Sequence, residues 1–188
     1  LNHCSIEHEW FQKALAGDSY YQDFFILRDE PTDWLSKFGG SAWAPFGDTG
    51  KYYLHLFDIT QADLNWRNPN VRQELFKVVN FWRDKGVKGF RFDVINLIGK
   101  DEVLEDCPEN DGKPAYTDKP IVHDYLRMMN EATFGQDDSF MTVGEMSATT
   151  IENCILYTAP DRQELSMAFN FHHLKVDYEA GQKWTLKA

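Results

Sequence analysis

Two acids and an arginine carry the chemistry this sequence could perform. In Gly89-Phe-Arg-Phe-Asp93, Arg91 and Asp93 stand two residues apart, so on a strand both side chains project to the same side. A guanidinium fixed beside an aspartate holds the carboxylate ionised, as a nucleophilic or electrostatic role requires. Alone, the pair more often marks a structural ion pair at a strand end. The second acid, Glu145, closes Phe140-Met-Thr-Val-Gly-Glu145, where the apolar approach through Phe140, Met141 and Val143 suits a carboxyl that carries a proton. One ionised and one protonated carboxyl are the equipment of glycoside hydrolysis. His3, near the start of the chain, is by spacing alone a hydrogen-bonded structural histidine.

The elements that must position these groups are legible in the apolar pattern. Asn68 is a helix cap and Pro69 a first helical residue, and Val71, Leu75, Val78, Val79 and Trp82 recur at helical spacing up to the stop at Gly86. A buried strand at Phe90 to Asp93 follows directly. The polar stretch from Leu97 to Pro120 reads as a solvated loop, and Val122 to Phe134 as an amphipathic helix. Phe140 to Glu145 is a second strand, Thr150 to Tyr157 a short helix, and Met167 to Phe171 a third strand. This alternation points to parallel βα units of an α/β fold, in which functional residues lie at the C-terminal ends of strands; Asp93 and Glu145 then converge across one cleft. Earlier, Glu7 to Ala16 is helical, with Ser5 as cap and Gly17 as stop. Asp18 to Gly50 is irregular and aromatic, and Tyr52 to Phe57 a short strand.

Composition narrows the function classes. Thirty Asp and Glu against 19 Lys and Arg give a formal net charge of -11, which disfavours nucleic acid and anionic membrane surfaces as partners. No run approaches the roughly 18 apolar residues of a membrane span. Three widely spaced cysteines, Cys4, Cys107 and Cys154, fit free thiols in a reducing, cytoplasmic setting, and no metal-ligand spacing links them to histidines. No cofactor or metal site is expected. The 6 Trp, 8 Tyr and 14 Phe supply core, and also rings on which a sugar could stack.

Four short blocks, Leu1-Asn-His3, Gln61-Ala-Asp-Leu-Asn65, Gly89-Phe-Arg-Phe-Asp93 and Val143-Gly-Glu145, resemble those of the α-amylase superfamily of retaining glycoside hydrolases, in the same order. The resemblance implies Asp93 as nucleophile, Glu145 as general acid/base, Arg91 as the guanidinium supporting the nucleophile and His3 as a substrate-binding histidine. It implies a (β/α)8 TIM barrel, of which this chain supplies the central part, strands three to six, with an inserted small domain B. Residues 1–4 would end strand three, 5–66 form the domain B-like insertion and 67–188 the barrel segment from helix three to strand six. Phe38 and Phe57 match aromatics that flank the glucose subsite. The superfamily's later Asn-His-Asp block has no counterpart here, so the chain is expected to be a piece of a longer protein, inactive alone and prone to self-association through uncovered edges.

Tyr53-Leu-His-Leu-Phe57, Asp93-Val-Ile-Asn-Leu-Ile98 and Met141-Thr-Val-Gly-Glu-Met146 are similar to the oligo-1,6-glucosidase branch. Phe169-Asn-Phe-His-His-Leu-Lys-Val-Asp-Tyr178 and Gly181-Gln-Lys-Trp184 look like the members that hydrolyse trehalose 6-phosphate, with His172, Lys175 or Lys183 placed to hold the phosphate. The expected partner is a small sugar or sugar phosphate. The rivals are an oligo-1,6-glucosidase and, in another class, a non-catalytic carbohydrate-binding relative, against which the presence of Asp93, Glu145 and Arg91 speaks.

Overall fold

A computed structural model describes residues 1–171; His172, Lys175 and Lys183 lie outside the described residues. The fold is α/β. Its organising unit is a parallel sheet of β6 (Gly89–Phe92), β7 (Met141–Glu145) and β8 (Met167–Phe169), in that order. The crossovers run through α4 (Ile121–Ala132) between the first two strands and α5 (Ile151–Thr158) between the last two. Parallel neighbours require such crossovers, and the periodicity predicted them. Gly144 is needed where β7 passes its neighbours: a Cβ there would lie 2.6 Å from Met146 Cε and 2.7 Å from Leu165 Cδ1.

The helix feeding β6 is α3 (Pro69–Asp84), capped by Asn68, whose side chain accepts from the Asn70 N–H at 2.9 Å. It stops at Gly86, where φ is +94° and a side chain would be strained. Val71, Leu75 and Val79 are buried as expected, but Val78 and Trp82 are 42% and 50% exposed. Both lie on the same angular stripe, so what they lack among the described residues is a covering element.

Residues before α3 form two smaller antiparallel units. One is a ribbon of β1 (His3–Ser5) and β5 (Gln61–Asp63), with His3 opposite Asp63. The other is a sheet of β2 (Leu27–Arg28), β3 (Trp43–Pro45) and β4 (Tyr52–Leu54), with β4 in the middle. Two short helices, α1 (Glu9–Leu15) and α2 (Ser19–Gln22), lie between β1 and β2. The cap of α1 is His8, whose imidazole accepts from the Trp10 N–H, rather than Ser5. Ser5 is held in the ribbon opposite Gln61, and its hydroxyl accepts from the Glu7 N–H.

Two clusters hold these units together. The larger joins Phe11, Phe25 and Trp66 to Leu75, Phe92, Leu126 and Met129. The smaller packs Trp34, Trp43, Leu54 and Leu56 against Val94, Leu97 and Tyr116, seating the turn after β6 on the β2-β4-β3 sheet. Burying side chains of this size contributes about 1.5–3 kcal/mol each, so the turn that follows Asp93 is firmly located. Among the described residues, no helix is long and apolar enough to cross a membrane, and Cys4, Cys107 and Cys154 are free thiols.

Candidate functional site

Strand register brings the two acids together. Arg91 pairs with Val143 and Phe92 with Gly144. One further step sets Asp93 beside Glu145, across the roughly 4.8 Å that separates hydrogen-bonded strands. Arg91 spans both. Its Nη1 donates to Asp93 Oδ1 at 2.7 Å, and its Nη2 makes an ion-pair contact with Glu145 Oε2. Glu145 is buried, with that oxygen making no aligned hydrogen bond, whereas Asp93 is half-exposed at the mouth. One shared cation beside two adjacent carboxyls offsets the repulsion that would otherwise separate them.

The backbone turns sharply as β6 ends. Val94 has φ 39° and ψ 43°, a left-handed conformation that a β-branched residue adopts only when its surroundings force it. The burial of Val94 and Leu97 against the aromatic cluster supplies that force, and it leaves Asp93 at the strand tip. Beyond the turn, Asn96 is fully buried and Ser147 sits two residues past Glu145; the two are hydrogen-bonded.

His3 lies on the facing side. A Gln61 amide donating to His3 Nε2 at 3.1 Å leaves the proton on Nδ1, which is buried without a hydrogen-bond partner among the described residues. Burial holds the imidazole below its ordinary value, opposed by the charges of Asp63 and Asp93. The ring stands 5.4 Å from that of Phe57, which stands 5.8 Å from that of Phe38, a 73%-exposed side chain. The three rings form a continuous wall. The Lys37 ammonium crosses from the Phe38 loop to within 3.4 Å of Ser147 Oγ.

Behind the wall is a polar knot that sequence reading did not single out. Lys100 Nζ lies 2.8 Å from Asp63 Oδ2 and donates to Asn2 Oδ1 at 2.7 Å, while Asn2 Nδ2 donates to Asp63 Oδ2 at 2.9 Å. The Leu56 N–H completes it by donating to Asp63 Oδ1. All three side chains are buried, and burial lowers the affinity of Lys100 for its proton against the opposing pull of Asp63. The knot ties β1 and β5 to the segment after β6. Its signal in the sequence was a single lysine ending an apolar run, Ile95 to Gly99, which any surface loop could also show. Among the described residues, no group of three or more His, Cys, Asp or Glu side chains is gathered as a metal ion would require.

A cavity of about 350 Å³ opens elsewhere, between Phe25, Trp66, Ile98 and Leu104, and holds none of the candidate site residues. Arg91, Asp93, Glu145, His3, Phe38 and Phe57 belong to one surface; His172 and Lys175 fall outside the described residues.

Comparison with known proteins identifies the family. The family model for the α-amylase catalytic domain matches residues 1–188. Trehalose-6-phosphate hydrolase of Bacillus subtilis is 54% identical over 99% of this chain and 34% of its own length. Oligo-1,6-glucosidase of Parageobacillus thermoglucosidasius is 44% identical over 100% of this chain and 35% of its own. The crystal structure of Bacillus licheniformis trehalose-6-phosphate hydrolase superposes with a TM-score of 0.91 at 52% identity, covering 99% of this chain and 35% of that one. This chain therefore spans about a third of the length of these relatives. With its parallel strands ending in paired acids and the family model matched from first residue to last, the chain belongs to the α-amylase family.

Proposed function

We propose that this chain supplies the acid pair of a retaining α-glucosidase that hydrolyses α,α-trehalose 6-phosphate to glucose and glucose 6-phosphate. The observation that carries the reading is the β6–β7 register with Arg91 spanning Asp93 and Glu145. Acids on adjacent parallel strands suit the roughly 5–5.5 Å carboxyl separation of retaining enzymes better than the wider gap of inverting ones. In this reading residues 1–4 close barrel strand three, 5–66 are domain B, and 67–188 run from helix three through strand six.

Asp93 Oδ attacks the anomeric carbon as Glu145 gives its proton to the departing glycosidic oxygen, so the leaving sugar departs neutral at that oxygen and a glycosyl ester remains on Asp93. Glu145, now ionised, takes a proton from water, whose oxygen attacks the same carbon and releases Asp93. Arg91 tempers the charge on whichever carboxylate is ionised at each stage. His3 borders the sugar beside Phe57, and Phe57 and Phe38 stack against the pyranose faces. His172 and Lys175 hold the 6-phosphate.

The test uses a full-length barrel in which this chain supplies the matching segment. Trehalose 6-phosphate should be cleaved far better than isomaltose, and Asp93→Ala and Glu145→Gln should each abolish turnover. Preference for isomaltose would favour the oligo-1,6-glucosidase reading instead. Lys175→Met should raise KM for the phosphorylated sugar and leave an aryl glucoside untouched; equal effects on both would remove Lys175 from the phosphate site.

A further inference from the structure

We propose that Asn96 is a positioning residue that fixes the spacing of the two catalytic acids by clamping the loop after Glu145 to the turn after Asp93. This rests on the assignment of Asp93 and Glu145 as the acid pair. Asn96 Nδ2 donates to the Ser147 carbonyl at 2.8 Å, and its Oδ1 accepts from the Ser147 N–H at 2.9 Å. A side-chain amide thus pairs with both backbone groups of one residue, as a neighbouring strand would. Asn96 lies three residues past Asp93, and Ser147 two past Glu145. The clamp therefore continues the β6–β7 pairing beyond the point where the two strands stop exchanging hydrogen bonds.

Asn96 is itself held from behind. Its Nδ2 also donates to Asp118 Oδ1 at 2.9 Å, and its carbonyl accepts from the Asp118 N–H at 3.1 Å. Asp118 is anchored in turn by Asn153 Nδ2 at 3.0 Å and the Tyr157 hydroxyl at 3.0 Å, both from α5. Asn96 is completely buried, so each of these bonds is shielded from water.

Backbone strain gives a second line of support. Val94, Asp118 and Ala148 all have positive φ, at 39°, 49° and 53°, and each flanks or forms a node of the clamp. Non-glycine residues in that region are strained and persist only where the surroundings over-determine them. Three such residues around one amide fit a junction whose geometry is fixed for a purpose other than local stability.

The mechanism is indirect. Freed of the clamp, the loop after Glu145 drifts from Arg91 and Asp93, and displacement of a reacting group by about 1 Å can cost on the order of 100-fold in rate. In a full-length barrel carrying this segment, Asn96→Ala should lower kcat about 100-fold on both trehalose 6-phosphate and an aryl α-glucoside, with KM nearly unchanged. Asn96→Asp keeps the bond from the Ser147 N–H but sets a buried carboxylate against Asp118 and the Ser147 carbonyl, and should lose stability as well as kcat. Tyr157→Phe is the comparison: it removes one Asp118 bond on the far side and should lower Tm while retaining kcat. Asn96 variants that behave like Tyr157→Phe, with a lower Tm alone, overturn the proposal. If the unmodified barrel cleaves neither substrate, the glycosidase reading fails by itself. Unaltered hydrogen-exchange protection of the Ser147 amide in Asn96→Ala then overturns the clamp separately.

Discussion

Removing the Lys100 ammonium should destabilise the protein more than any surface change. Lys100 and Asp63 pair at 2.8 Å with side chains 4% and 0% exposed, so neither charge has water as an alternative partner. Lys100→Met keeps the length of the stem and deletes the charge. Asp63 would retain two neutral donors, Asn2 Nδ2 and the Leu56 N–H, but would remain a buried carboxylate without a counter-charge. Breaking one side of a buried pair costs about 3–5 kcal/mol. At roughly 2–4 °C per kcal/mol for a domain of this size, Tm should fall by about 6–20 °C.

The double variant Lys100→Met/Asp63→Asn decides whether charge is the cause. The amide it introduces in place of the Asp63 carboxylate can accept from the Leu56 N–H and, with the Asn2 amide turned over, donate to the Asn2 oxygen that Lys100 released; Asn2 Nδ2 then loses its acceptor, so one neutral donor is left unpaired in place of a buried charge. Replacing a buried ion pair by neutral groups of similar volume is close to neutral. The double variant should therefore be more stable than Lys100→Met alone. Urea unfolding at pH 7, with all four members of the cycle, measures the coupling. A loss below about 1 kcal/mol in the single variant, or a double variant no better than the single, would refute the account of the knot as a buried ion pair.

Exposure and local bonding set three further outcomes. Phe38→Ala should change stability by less than about 0.5 kcal/mol, since the ring is 73% exposed, yet raise KM for the sugar; a matching loss of stability would make Phe38 core. Asp137 is held down from 3.8 to about 2, first by the Ser139 hydroxyl, then by the Ser139 N–H and Lys88. A depressed carboxyl adds stability above its unfolded value that is lost as pH falls through its folded one. Acid unfolding of Asp137→Asn should thus be shallower between pH 3.8 and about 2, and an unchanged slope there would count against it. Gly144→Ala forces a Cβ against Met146 and Leu165 and should cost about 1–3 kcal/mol by denaturant midpoint.

What the sequence made legible was whatever depends on local pattern. Asn68-Pro69 and Gly86 bracket α3 because caps and stops act within a turn, and the acids fall at strand ends because a short apolar run has one exit. The convergence of Asp93 and Glu145 also followed, since a parallel register constrains which residues lie abreast. The polar knot did not follow. Asn2, Asp63 and Lys100 are separated by 61 and 98 residues, and a lone buried lysine has no periodicity to announce it. Nor did the reach of Arg91 to both acids: spacing placed it beside Asp93, but only the register brings Glu145 under the same guanidinium.

Buried carboxylates in this protein separate into two kinds by how fully they are satisfied. Glu164 has a side chain that is 0% exposed, and its oxygens meet His123 at 2.7 Å, Arg127 at 3.3 Å and Arg162 at 3.0 Å. Asp63 is closed off in the same way by Lys100, Asn2 and the Leu56 N–H. A carboxylate so enclosed has nothing left with which to react, and its partners serve the fold. Glu145 is nearly as buried, yet the cation paired with it, Arg91, is shared with Asp93. An acid at a strand end that shares its cation with a second acid, rather than being ringed by partners of its own, is what the proposed two-carboxyl chemistry asks for.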